Sequence, residues 1–175
     1  MNYARLDKRQ QAALAALIRG RTVHDLGCGD RTLSAYLVQL GAAGVVAVDY
    51  RQPPGDPAAG VTAVRVMFLE FAASEPAIDV AFVSWPNNHV QHGLLELLHR
   101  SATVAYLGKN TDGVACGWPG LFRHFLARKL VAYLPHRANT LCVYGPPIAE
   151  ARIGEPEEQA GLDPLVIRPY VEGAP

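Results

Sequence analysis

Thr22-Val-His-Asp-Leu-Gly-Cys-Gly-Asp-Arg-Thr-Leu33 decides how this chain is read. It predicts a buried strand over 22–26, a glycine-rich turn and the start of a helix. Val23 and Leu26 supply the apolar strand end, and Gly27 and Gly29 follow at spacing two. Without a Cβ the backbone can turn sharply there and a ligand can come close to it. Thr32, Leu33, Tyr36, Leu37 and Leu40 then recur at helical spacing. A helix beginning just after such a turn aims its free N–H groups and positive dipole end at whatever occupies the crevice.

Two acids narrow the ligand. Asp25 sits inside the strand end, two residues before Gly27. Asp49 closes the next apolar run, Val45-Val-Ala-Val-Asp49, about twenty residues on, where an acid suits the two hydroxyls of a ribose. Asp25 is better placed to attract a cationic amino group than a pyrophosphate, which it would repel. The pattern Asp-x-Gly-x-Gly followed by Val-Ala-Val-Asp resembles the class I S-adenosylmethionine (SAM)-dependent methyltransferases. That resemblance implies SAM as cofactor, with its amino acid moiety near Asp25, Gly27 and Gly29 and its ribose on Asp49. Cys28 and Tyr50, beside these positions, join the expected cofactor-binding set.

Many members of that family carry a third glycine where Arg31 stands here. A long side chain there lines the site, points to solvent or blocks it. A competing nucleotide reading is the dinucleotide fingerprint Gly-x-Gly-x-x-Gly, whose last position is Thr32 in this chain. A glycine turn with no ligand is the plainest alternative.

The chain has 175 residues, one domain's worth, and 50% are hydrophobic, enough for a sizeable core. Lysine plus arginine number 16, as do aspartate plus glutamate. No strong net field therefore draws the protein to nucleic acid or an anionic membrane. No apolar run is long enough to span a membrane, and the first residues lack a signal-peptide pattern. Cys28, Cys116 and Cys142 are odd in number and lack zinc-site spacing, so no metal is expected. A cytoplasmic setting is the simplest expectation.

Residues 4–19 read as an amphipathic helix, with Leu6, Ala13, Leu14, Leu17 and Ile18 inward and Arg5, Lys8, Arg9 and Gln10 outward. In the resembled family such a leading helix often covers the SAM site; an ordinary covering helix is the other reading. Further strands are expected over 45–49, 61–66, 78–84 and 103–107, and helices over 31–40, 88–100 and 119–129. A short helix also fits near 56–59. The stretch 108–119 is polar and glycine-rich and reads as a loop at the strand ends. Runs 130–134 and 140–144 read as an antiparallel hairpin. This order gives an α/β fold: a doubly wound, Rossmann-like methyltransferase sheet, mostly parallel with a C-terminal antiparallel hairpin. The expected domain is 1–145, followed by a proline-rich, acid-leaning tail over 146–175 whose Leu165–Val171 run can dock on the body.

The acceptor site follows from the resemblance. In this family the nucleophile sits near the end of the fourth strand. Ser84-Trp85-Pro86-Asn87 loosely resembles the (Asp/Asn/Ser)-Pro-Pro-aromatic motif of amino-methyltransferases, which act on planar nitrogens. Ser84 and Pro86 match; Trp85 replaces the first proline and Asn87 the aromatic. Ser84, Trp85 and Asn87 are the candidate catalytic residues, with Trp85 either stacking on an acceptor or packing under the next helix. His89 and His92, at i, i+3, read as a general base or a solvated helix face. Lys109, Asn110, Thr111 and Asp112 are substrate-contact candidates or turn residues. Glu70, after the third strand, stands where the family supplies an acid to the adenine, or is a solvent-facing glutamate. The functional expectation is SAM-dependent methyl transfer to an unidentified acceptor, which is a nucleic acid, a protein or a small molecule. The alternative is a SAM-binding regulatory protein of the same fold.

Overall fold

The computed structural model describes residues 6–51, 55–74, 77–86, 91–111, 114–115, 119–136 and 139–147. Helix α1 (Lys8–Ile18) precedes β1 (Thr22–Leu26), α2 (Thr32–Gln39), β2 (Gly44–Val48) and β3 (Val61–Val64). Then come α3 (Phe68–Ser74), β4 (Ile78–Ser84), α4 (Gln91–Arg100) and β5 (Ser101–Gly108). A small ribbon, β6 (Asn110–Thr111) and β7 (Val114–Ala115), leads to α5 (Pro119–Leu126), β8 (Arg128–Pro135) and β9 (Thr140–Pro147).

Seven strands form one sheet in the order β3-β2-β1-β4-β5-β9-β8. The first five are mutually parallel, and β9 runs antiparallel to both of its neighbours. The expected doubly wound sheet with its terminal hairpin is therefore what the chain forms. Strand β1 pairs with β2 on one side and β4 on the other. Chain progression reverses at that point, which opens a crevice at the carboxyl ends of β1 and β4.

Both faces of the sheet are covered, which is why β4 and β5 read as nearly continuous apolar runs. On one face Leu14 and Ile18 of α1 and Leu37 of α2 pack with Val23, Val80, Phe82 and Leu107. On the other, Phe68 and Phe71 of α3, Leu94 and Leu97 of α4 and Phe125 of α5 pack with Leu26, Ala81, Val83 and Tyr106. Helix α4 meets α3 at Gly93, where an added Cβ would lie 2.4 Å from the Leu69 nitrogen.

Several local expectations are corrected. Gln10, placed on the solvent face from its polarity, is 0% exposed. It shares the inward stripe with Leu14 and Ile18, and its amide is satisfied there. Its Nε2 donates to Leu134 O at 2.9 Å and Asn139 Oδ1 at 3.1 Å, while its Oε1 accepts from Asp7 N–H in a capping box. Helix α5 ends at Leu126 rather than 129, because Arg128 is drawn into the sheet. No helix forms over 55–60. Residues 110–115, read as loop, include a two-strand ribbon. The expected tail beyond Pro147 lies outside the described residues.

Candidate functional site

The crevice floor is the turn after β1. Gly27 has φ 84° and Gly29 φ 55°, left-handed values that favour glycine. The turn is pinned to the end of β2: Gly27 N–H donates to Val48 O at 2.8 Å and Cys28 N–H donates to the same oxygen at 3.3 Å. Among the described residues a Cβ on Gly29 would have nothing within 4 Å, and one on Gly27 only the Phe68 ring at 3.8 Å. The backbone thus faces open space. Cys28 is buried, in the same apolar cluster as Leu6 and Leu37.

Asp49 is held by the backbone. Its Oδ2 accepts from Gly29 N–H at 3.0 Å and its Oδ1 from Arg51 N–H at 2.8 Å. Each carboxylate oxygen has two lone-pair positions, so each keeps one for a further donor. Tyr50 follows, exposed, with the Arg51 guanidinium 4.9 Å from its ring centre. Arg65 Nε donates to the Tyr50 carbonyl at 3.3 Å.

Asp25 lies deeper. It is 0% exposed, and its Oδ2 accepts from Ser34 Oγ of α2 at 2.6 Å. Its Oδ1 has no hydrogen-bond partner among the described residues. Burial pushes this carboxyl up to about 7; the Ser34 bond opposes the shift, and nearby Asp49 and Asp30 add to it.

Arg31 has φ 63°, the left-handed conformation for which glycine is the unstrained residue at this place. Its side chain does not follow the turn inward alone: one nitrogen donates to Gly55 O at 3.1 Å, bridging the start of α2 to the segment after β2. Asp30, beside it, accepts from Thr32 N–H at 3.0 Å. Glu70 is exposed in the first turn of α3. Next to it, Met67 and Leu69 present exposed apolar side chains, which the sequence reading did not single out.

Across the switch point, β4 ends in Ser84, which pairs with Leu107 of β5. Trp85 follows with φ 45° and its N–H donates to Leu107 O at 2.8 Å. A bulky residue held in the left-handed region marks a place where the surroundings over-determine the backbone. Trp85 and Ser84 are half-buried and Pro86 is buried. Asn87, His89 and Asp112 lie outside the described residues, and His92 falls on α4. Lys109 is exposed just past β5. Among the described residues no group of acids, histidines or cysteines is arranged to hold a metal, and no helix is long and apolar enough to cross a membrane.

The first turn of α1 also reaches this edge. Gln10 ties it to the β8–β9 turn, and Thr140, at the start of β9, pairs with Gly108 at the carboxyl end of β5. Ser34 and Asn139 escaped the sequence reading, and Gln10 was assigned to the wrong face. A serine or glutamine in an inward helical stripe is the signal that points to them, because a buried polar group demands a partner.

Neither a protein-family model nor a curated protein sequence matches this chain. Solved structures do. A ribosomal protein L11 methylase from Lactobacillus delbrueckii subsp. bulgaricus superposes with TM-score 0.58 at 16% identity, over 80% of this chain and 79% of that one. An rRNA methylase from Streptococcus thermophilus gives 0.57 at 12% identity, over 83% and 100%. A precorrin 8w decarboxylase from Methanobacterium thermoautotrophicum gives 0.53 at 14% identity, over 81% and 91%. At such identities the likeness concerns the fold, and it is the class I methyltransferase-like fold. That the third neighbour is named for a decarboxylation shows why chemistry is argued from the site.

Proposed function

We propose that this protein binds SAM at the carboxyl ends of β1 and β2 and transfers its methyl group to an acceptor seated at the end of β4. One observation carries the reading: Asp49, fixed by two backbone N–H groups, keeps one acceptor position on each oxygen, which fits the adjacent hydroxyls of a ribose. The open face of the Gly27–Gly29 turn leaves room for the amino acid moiety beside it. Exposed Tyr50 and Met67 flank that place with apolar surface suited to an adenine. Glu70, exposed on α3, is the acid available to its amino group.

When bound, SAM supplies an already activated methyl group. The chain's own task is to hold the acceptor in line at about 3–3.5 Å and to keep water out. Trp85 offers a ring on which a planar acceptor can stack, and Ser84 and Asn87 offer oxygens to an amine N–H. A planar nitrogen is therefore the proposed acceptor. The RNA and protein substrates named for the structural neighbours are compatible with such a group. Arg31 at φ 63° and the two replaced motif positions at 85 and 87 favour a second reading, a SAM-binding regulator without turnover.

Calorimetry with SAM, its demethylated product and NAD tests the binding. SAM should bind, and Asp49→Ala should weaken it by about 1.5–3 kcal/mol, the range for hydrogen bonds to charged groups. Tighter binding of NAD would overturn the assignment. Binding without turnover across nucleobase, protein and small-molecule amines would favour the regulator.

A further inference from the structure

Asp25 occupies the place at which the resembled family puts a charge contact to the ligand, yet its environment does not suit one. It is 0% exposed, so a ligand atom reaches it only if the turn opens. Its neighbours in register are Ala47 of β2 and Phe82 of β4, both fully buried. On its face of the sheet lie Leu6 and, from α1, Leu14 and Ile18, while Lys8 and Arg9 face solvent. The charged groups that act on it are Asp30 from the turn and Asp49 from the end of β2, both acids. The two nearest cations in sequence are engaged elsewhere: Arg21 pairs with Asp79, and Arg31 sends its guanidinium to Gly55 O. His24, one residue earlier, points to the opposite face, against Phe71. An ionised Asp25 would be a buried charge with two like charges near it and one oxygen without a donor, which is strongly unfavourable.

We propose that Asp25 is a positioning residue and not a ligand contact: held as a neutral carboxylic acid, it latches the end of β1 to α2 through Ser34 and so fixes the glycine turn between them. The 2.6 Å Ser34 Oγ–Asp25 Oδ2 bond spans the whole turn, from the last but one residue of β1 to the third residue of α2. Turn residues 27–31 are thereby closed into a loop held at both ends. Oδ1 can carry the proton where it lacks a donor. The consequence for binding rests on the SAM reading given above; the protonation state and the latch do not.

Two arms on the full chain separate these. The carboxyl carbon of Asp25, followed by NMR in the free protein, should titrate near neutrality; a group ionised throughout about pH 5–8 would overturn the proposal. Asp25→Asn keeps the shape and an oxygen for the Ser34 hydroxyl. It should bind SAM within about threefold of the parent, whereas Ser34→Ala and Asp25→Ala should each lose about tenfold or more. A tenfold loss in Asp25→Asn would restore the charge contact and sink the latch. If the parent itself binds no SAM, the proposed function fails. The titration, with a Tm raised by Asp25→Asn at alkaline pH and lowered by Ser34→Ala, still decides the latch.

Discussion

At the amino end of β5, Arg128 is 3% exposed. Its guanidinium donates to Gly145 O at 2.7 Å, Leu98 O at 2.8 Å and Ser101 O at 2.5 Å. A longer contact reaches Ala102 O at 3.4 Å. Two of these carbonyls lie at the end of α4 and the start of β5, so the cation meets the negative end of a helix dipole. Burial lowers its pKa from the ordinary value, but an arginine stays charged. At the carboxyl end of the same sheet Asp25 is equally hidden, with a single donor and an oxygen left over. Asp49 above it is partly open, with acceptor capacity to spare. A buried ion with its bonds filled closes a seam between elements. Asp49, with acceptor capacity to spare, stands where we propose the ligand is met. The two ends of one sheet thus differ in how completely their polar groups are satisfied.

The contrast breaks most visibly at Arg128. Arg128→Met should cost about 3–5 kcal/mol, because it leaves several buried carbonyls without donors. Arg128→Lys should recover only part of that, since an ammonium cannot fork to carbonyls on three elements. A loss under about 1 kcal/mol in urea unfolding would show that water replaces the guanidinium.

The second test uses pH. His124 on α5 is 8% exposed, with Nε2 lacking a hydrogen-bond partner among the described residues. Burial, with the Arg128 and His99 charges adding to it, pushes it from 6.5 down to about 4. Its contribution is present above 6.5 and lost as pH falls toward about 4, because the unfolded chain then binds a proton that the folded one refuses. Asp25 behaves oppositely. Its folded pKa of about 7 lies above the ordinary 3.8, so its contribution is present below 3.8 and lost as pH rises through about 7. At about 1.4 kcal/mol per unit each reaches roughly 3–5 kcal/mol. Relative to the parent, His124→Phe should gain stability as pH falls and Asp25→Asn as pH rises. Difference curves that run flat would remove these two groups from the acid–base balance.

At the proposed acceptor end, if the protein is the methyltransferase we propose, Trp85→Ala should lower methyl transfer by about tenfold to a hundredfold, or roughly 1.4–2.7 kcal/mol of barrier. SAM affinity should stay level. A stable variant with full turnover would take Trp85 out of acceptor alignment, and a parallel fall in stability, affinity and rate would make it a packing residue. The smallest effect is expected at Arg31. Arg31→Gly relieves about 1 kcal/mol of left-handed strain. It also loses the bond to Gly55 O and frees the unfolded chain by a similar amount. Stability should move by less than about 1 kcal/mol, and a tenfold gain in SAM affinity would show that the arginine blocks the pocket.

Much of the carboxyl edge was legible in order. Gly27, Gly29 and Asp49 sit at the turn and strand end that their spacing implied, because a sharp turn between strand and helix is a local demand on the backbone. Ser84 and Trp85 close the fourth strand for the same reason. What the letters did not disclose was accessibility: Asp25 and Asp49 are the same residue type at similar strand ends, and one is sealed under α2 while the other looks out.

By itself, the sequence determined the strand–turn–helix core, the order of elements and the pairing of a terminal hairpin. Each follows from periodicity and turn chemistry acting within a few residues. Tertiary structure alone decided where polar side chains are buried. Gln10 finds its partners 124 and 129 residues away, and Arg128 finds one 30 residues away. Their burial is set by which carbonyls the packed sheet brings within reach. A charged or amide group enters a core only when distant backbone is already placed to receive it, and no local pattern records that placement.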